Sequence, residues 1–458
     1  MRIFSLLLFP VTALALLSPA GSATTILVPD DYTTIQSAIN GAINGDEILV
    51  KPGLYQENID FQGKQIKVKA AELTKATVID GGGIGSVVTF QNGETLDAVL
   101  AGFTIVNGSS TQGGGIYCHA ASPRIVNNYV LENFALEDGG GIYCFDSTAS
   151  INNNVIMKNR AEGDSGGGLH IEAGAPRVLN NVIRKNAASI SGGLHLQSTT
   201  ALLANNVIAH NHSLRGGGIG CYKADPVITN NTIEGNDASG VGGGIFVSES
   251  APRVINSVVW NNVSSDGLQI YVASGLPEFS NSNIEGGWSG PGRGNIDADP
   301  RFIEPEAGDF HIPHDSPCKD TGDNLAEGLR DSDVEGDPRV SGGTVDIGAD
   351  EYYPRLYNVG ELKTPGTWVT LRVIGQPGAG VTLAEASGLR NNPYPTPYGD
   401  FMLKLPMKRY FLKAIPQEGA NIVNFQIPLD WIPDEKRYFQ AFIGVVQTLT
   451  NPMVVTAD

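Results

Sequence analysis

The sequence predicts an all-β chain, a parallel β-solenoid of about ten turns followed by a small antiparallel β-sandwich. Three observations predict it. First, glycine clusters between Gln112 and Asn262 are each followed by an apolar-x-apolar triplet: Ile116-Tyr117-Cys118, Ile142-Tyr143-Cys144, Leu169-His170-Ile171, Leu194-His195-Leu196, Ile219-Gly220-Cys221 and Ile245-Phe246-Val247. Second, asparagine recurs at Asn127, Asn153, Asn180, Asn205, Asn230 and Asn256, in steps of 26, 27, 25, 25 and 26 residues, and a second column keeps register at Asn133, Asn159, Asn186, Asn211, Asn236 and Asn262. A period of this size with short alternating runs, cut by Gly and Asn, means one strand-built unit per turn. Third, the repeat ends at about Gly290, and after Pro354 the pattern changes again to about seven short strand-like runs separated by turn signals. These suggest a sandwich.

In chain order, residues 1–23 read as a secretory signal: Arg2 supplies the charge, Leu6 to Leu17 the apolar core, and Gly21-Ser22-Ala23 a small-x-small cleavage site. Residues 24–294 are the solenoid. Within them, Ile35, Ala38, Ile39, Ala42 and Ile43 have helical spacing, and a short helix over Thr33–Ile43 would cover the open strand edges at the first turn. Strands are expected at Glu47–Val50, Gln65–Ala70, Ala76–Ile79, Val87–Phe90 and Phe103–Val106. Winding to about Gly290 gives a rod roughly 50 Å long at strand spacing. Residues 295–353, rich in Asp, Pro and Gly, form a C-terminal cap over the last turns, and 354–458 the sandwich as an accessory domain.

The chain carries a net charge of −18, with a pI near 4.8. That balance excludes nucleic acid and anionic membrane surfaces as partners, since both need clustered Lys and Arg. No segment after the leader is long and apolar enough to span a membrane, so a monomer, secreted or on the cell surface, is expected. Cys118, Cys144 and Cys221 share one position of the triplet and face one interior. Stacked thiols stand about 4.8 Å apart on adjacent turns, too far for the ~3.8 Å Cβ separation of a disulfide, so buried free thiols are expected.

The opening Val28-Pro29-Asp30-Asp31-Tyr32-Thr33-Thr34-Ile35-Gln36, with Gly45-Asp46 and Pro52-Gly53-Leu54-Tyr55-Gln56-Glu57, resembles the start of right-handed parallel β-helix proteins of the pectin-lyase-like superfamily. Asp299-Pro300-Arg301-Phe302, Ser316-Pro317-Cys318, Gly336-Asp337-Pro338-Arg339 and Val345-Asp346-Ile347-Gly348-Ala349 resemble the tail found after such helices in secreted bacterial proteins. The resemblance covers Ile26 to Glu351 and implies a right-handed solenoid. About function it implies only a range, from polysaccharide lyases, esterases and galacturonases to adhesins. The esterase and galacturonase signatures are missing from this sequence.

Inward asparagines at one height form amide ladders between turns, so both asparagine columns are read as structural. The outward positions of the triplet strand carry the chemistry. One column reads Tyr117, Tyr143, His170, His195, Gly220 and Phe246; its neighbour reads His119, Phe145, Glu172, Gln197, Tyr222 and Ser248. Rings at strand spacing with polar edges suit the C–H faces and hydroxyls of a sugar. The candidate carbohydrate-binding residues are therefore Tyr117, Tyr143, Phe145, His170, Glu172, His195, Tyr222 and Phe246. The alternatives are that these rings pack on one another, or that a loop covers them. Glu172 and His170 are the candidates for any catalysis, but a glycosidase needs two carboxylates about 5–10 Å apart across the scissile bond, and Glu172 is the only acid in these columns.

Acids beside the glycine clusters, Glu137, Asp138, Glu162 and Asp164, are read as solvated. Asp331, Asp333, Glu335 and Asp337 alternate ahead of Arg339 with Gly336 at the sixth position, the first half of a calcium loop; the twelfth is Gly342, so its closing Glu is missing. A structural Ca²⁺ is the only cofactor this pattern would hold, and a solvated acidic turn is the other reading. The resulting expectation is recognition of a polysaccharide or surface glycan without catalysis. A polysaccharide lyase or glycoside hydrolase is the alternative, and an adhesin or structural surface protein the second.

Overall fold

The computed structural model describes residues 23–72, 76–341 and 343–353 in full, and only strand backbones from Arg355 onward. The expected signal peptide, residues 1–23, lies outside the described residues except for Ala23.

From Thr25–Val28 to Asn283–Ile284 the chain winds as a parallel β-solenoid of about ten turns. A single turn shows the plan. Ile142–Ser147 belongs to a first sheet of nine strands, Ser150–Asn152 to a second of eleven, Val155–Met157 to a third of ten and Arg160–Ser165 to a fourth of seven. Each residue lies over its equivalent one turn back, as in Ile142↔Leu169, Tyr143↔His170 and Cys144↔Ile171. Inward positions are the apolar ones: Ile116, Ile142, Leu169, Leu194, Ile219 and Ile245 are all fully buried. Each contributes about 1.5–3 kcal/mol relative to exposure. Cys118, Cys144 and Cys221 lie in this core as free thiols, the first two directly in register.

Single residues in the left-handed conformation turn the corners. Asn127, Asn153, Asn180, Asn205, Asn230 and Asn256, at φ between 49° and 56°, make the corner between the second and third sheets. Asparagine tolerates this conformation far better than branched residues do. The expectation that this column faces inward is therefore corrected: it forms the corner, and the inward ladder belongs to the next residue, Asn128, Asn154, Asn181, Asn206 and Asn231. The second expected ladder is present as read, from Asn133 through Asn159, Asn186, Asn211 and Asn236 to Asn262.

The glycine clusters mark the corner between the fourth and first sheets. A Cβ on Gly141 would lie 2.5 Å from the carbonyl oxygen of Gly168, so only glycine lets successive turns approach there. Gly166 adds a φ of +70°, which side chains resist.

At the N-terminal end, helix Ile35–Gly41 buries Ile35, Ala38 and Ile39. Thr34 and Ser37 exchange bonds in a capping box that sets its start. At the other end, the segment after Asp299 lies along the flank of the third sheet. Phe310 and Ala349 pack on Val207 and Ala209, and Ile312, Cys318 and Ile347 pack on Val258. The corner asparagines hold it in place: Asn205 Nδ2 donates to the Ser332 carbonyl at 2.6 Å, Asn230 Nδ2 to that of Asp346 at 2.9 Å, and Asn256 Nδ2 to that of Asp323 at 3.0 Å. The same column thus serves as corner and as anchor.

Beyond this cap, Trp368–Ile374 pairs antiparallel with both Arg355–Asn358 and Ala420–Gln426, and Val381–Ala386 with both Met407–Phe411 and Lys436–Ile443. The segments between these strands, and with them the expected β-sandwich, lie outside the described residues.

Candidate functional site

The ring column of the first sheet is a stack. Ring centroids are 5.7 Å apart for Tyr117–Tyr143, 5.2 Å for Tyr143–His170 and 5.0 Å for His170–His195, with interplanar angles of 8°, 29° and 28°. Phe246 stacks likewise on Tyr271, and His119 on Phe145. In-register strands place identical χ1 directions one above another, so ring faces meet each other and only edges look outward. The expectation of an outward ribbon of ring faces is corrected on this point. Tyr143, His170 and His195 are 3%, 2% and 6% exposed. They lie in the corner beneath the fourth sheet, where a Cβ on Gly139 or Gly166 would come within 2.8 Å of the Cβ of Tyr143 or His170. Tyr117, Phe145, Glu172, Tyr222 and Phe246 remain half-buried.

Fixed bonds hold the imidazoles. His170 Nδ1 is 2.9 Å from Ser165 Oγ and 3.2 Å from Asp138 Oδ1; His195 Nδ1 is 3.0 Å from Ser191 Oγ. Burial of Asp138 works against ionisation, but the hydrogen bond and charge of His170 outweigh it and bring the carboxyl down to about 2. Asp138, read as solvated, is therefore a partner of the ring stack. Burial, with the neighbouring His170, pushes His195 down to about 3. His170, one of the two catalytic candidates, is sealed from solvent. Glu172, the other, accepts from Gln197 Nε2 at 2.9 Å and from the Tyr143 hydroxyl at 3.4 Å. It is a held acceptor at the sheet surface.

The residues of the expected calcium loop are spread over different roles. Asp333 is fully buried. Its Oδ1 accepts the backbone N–H groups of Glu335, Gly336 and Asp337, each at 2.9 Å, and its Oδ2 accepts that of Glu351 at 3.0 Å. Both oxygens serve as the pivot of a turn. Asp331 is exposed and its backbone carbonyl accepts from Arg339. Glu335 points elsewhere, to His311, with its Oε1 2.9 Å from the imidazole Nε2.

That contact lies on the wall of a cleft of 480 Å³, formed where the cap meets the uncovered part of the third sheet. Asn153 and Asn180, the corner residues before those that anchor the cap, line it beside Val155 and Val182. Phe310, His311, Glu335 and Asp350 face them from the cap. Behind this wall, Asp333, Asp346 and Glu351 are buried together with Asp350 of the wall itself and with Arg339, the one buried guanidinium among the described residues, which donates to the carbonyl of Ala349 at 2.9 Å. Burial drives Asp350 and Glu351 up to about 8 and Asp346 up to about 6. Sequence reasoning missed His311 and Phe310, because nothing in the non-repeating cap marks which residues converge.

Among the described residues no helix is long and apolar enough to cross a membrane. No curated protein matches the chain. A family model described as "Right handed beta helix region" matches residues 178–290. With the parallel coil of about ten turns, that match makes this part of the chain a right-handed β-helix region.

Proposed function

We propose that the protein, exported and acting as a monomer, recognises a polysaccharide or glycosylated surface without acting on it. The observation that carries this reading is the cleft beside the cap. The amides of Asn153 and Asn180 stand among Val155, Val182 and the Phe310 ring, with Glu335 and His311 at the wall. Sugars present apolar C–H patches between hydroxyls, and amides, a carboxylate and a ring edge meet both in one shallow site. The half-exposed outer column of the first sheet, Phe145, Glu172, Gln197 and Tyr222, is a second contact of the same kind at strand spacing. In this proposal the region 354–458 is an accessory sandwich.

A glycan and polysaccharide screen of residues 24–458 tests it, reading both binding and product release. Asn153→Gly with Asn180→Gly removes both amides while keeping the left-handed corner unstrained. That pair is expected to weaken binding at least about tenfold, the range of a central contact. Phe145→Ala with Tyr222→Ala reports on the outer column. Release of reducing ends or unsaturated uronates would sink the non-catalytic reading. Full binding by 354–458 alone would favour an anchoring or adhesive role.

A further inference from the structure

We propose that His311, Glu335 and Asp350 hold one divalent transition-metal cation of zinc's class at the wall of the cap cleft. Their ligand atoms all lie within 4.8 Å of one another. His311 Nε2 is 2.9 Å from Glu335 Oε1 and 4.0 Å from Asp350 Oδ1. On the far side of the ring, His311 Nδ1 is 2.5 Å from Asp309 Oδ1. A carboxylate behind a histidine is the arrangement that fixes the tautomer of a metal ligand: Nδ1–H donates backwards and the Nε2 lone pair points forwards. Here it points at two carboxylate oxygens. With the ring neutral in that tautomer, Nε2 and the two carboxylate oxygens are acceptors converging on one point, which a cation satisfies; with the ring protonated, Nε2 pairs with Glu335 instead, the alternative that the metal measurement decides.

Two independent features agree with this assignment. The first is charge. Asp333, Asp346, Asp350 and Glu351 are all buried, and among the described residues Arg339 is the one buried guanidinium, so a cation held by Asp350 adds positive charge where carboxyl groups outnumber it. The second is access. Glu335 is exposed and the three ligands line the cleft, which gives an ion and its water a route in. The donor set selects the kind of ion. One imidazole nitrogen with carboxylate oxygens suits zinc and its neighbours, whereas calcium takes six to eight oxygens. The three ligands come from separate parts of the cap, so one ion would tie the His311 stretch to the stretches of Glu335 and Asp350, which hydrogen bonds already join to each other.

Metal content is measured with no saccharide present, so this inference stands or falls apart from the glycan reading. The full chain, stripped with a chelator and dialysed against Zn²⁺, is expected to retain one ion per chain and to melt at a higher temperature than the stripped form. His311→Ala is expected to abolish retention. Asp309→Asn, which keeps the bulk of the cap, is expected to weaken it about 10–100-fold. Co²⁺ in place of Zn²⁺ should show X-ray absorption from a mixed nitrogen and oxygen shell, an outcome that does not depend on any variant folding. Equal retention by wild type and His311→Ala would overturn the site, because the ion would then sit elsewhere. Retention of Ca²⁺ in place of Zn²⁺ would overturn the class of metal. No retained ion, with His311 titrating as an imidazolium among carboxylates, would replace the centre by an ion-pair network.

Discussion

Asn186→Ala is expected to destabilise the solenoid by about 3–6 kcal/mol, because it removes one rung and leaves its neighbours unsatisfied in the dry interior. Asn186 Oδ1 accepts from the backbone N–H of Asn159 at 2.9 Å and from its side-chain amide at 3.0 Å. Its Nδ2 donates to the Ile156 carbonyl at 2.9 Å and to Asn211 Oδ1 at 3.0 Å. Alanine strands the Asn159 backbone N–H and one hydrogen of the Asn159 amide, at about 1–3 kcal/mol each, and adds a small cavity. Asn186→Asp is expected to be worse still. It keeps an acceptor but sets a carboxylate against Asn211 Oδ1, with no donor between them. Asn153→Gly is the control, since the same residue type stands exposed at a corner, and its cost should stay below about 1 kcal/mol. Guanidinium unfolding of the three variants checks the order. Similar midpoints for Asn186→Ala and Asn153→Gly would mean that the ladder contributes no stability.

This contrast also marks how far the sequence could be read. The solenoid, its capping helix and the buried stack of Cys118 on Cys144 were legible, because in-register stacking forces each turn to restate the one before. Which asparagine column faces inward was not. Asn127-Asn128, Asn180-Asn181, Asn205-Asn206 and Asn230-Asn231 are doublets with one period, and the choice between partners rests on a single left-handed residue at each corner. Alternation likewise gave the outward direction of Tyr143, His170 and His195. Their burial depends on Ser165, Ser191 and Asp138, which reach them only after the chain has turned a glycine corner. In the cap, Asp331 to Asp337 attracted attention as ligands close together in sequence. The donors that meet in space are His311, Glu335 and Asp350, from three stretches with no period to connect them.

His195→Phe is expected to cost about 1–3 kcal/mol near neutral pH, since a ring of similar shape still stacks on His170 but the buried Ser191 hydroxyl loses its partner, and to flatten the loss of stability in acid. His195 is 6% exposed and stacks on His170 at 5.0 Å. Burial, then the neighbouring imidazole, lowers its pKa from 6.5 to about 3 in the folded chain. Unfolding releases it to take up a proton below 6.5. Between pH 6.5 and 3 the unfolded state therefore binds more protons, and stability falls as pH falls. One such group adds a slope approaching about 1.4 kcal/mol per pH unit inside that window. Asp138 adds a slope of the same sign lower down. Its carboxyl falls from 3.8 to about 2, with the His170 bond and charge prevailing over burial, so its contribution is complete above the unfolded value and is lost as pH drops towards 2. The two windows separate in a denaturant series run from pH 7 to pH 2. His195→Phe should remove about one proton of linkage above pH 4.5 and leave the Asp138 window in place. An unchanged slope above pH 4.5 would show that His195 takes up its proton in the folded chain, and that the corner beneath the fourth sheet is open to water.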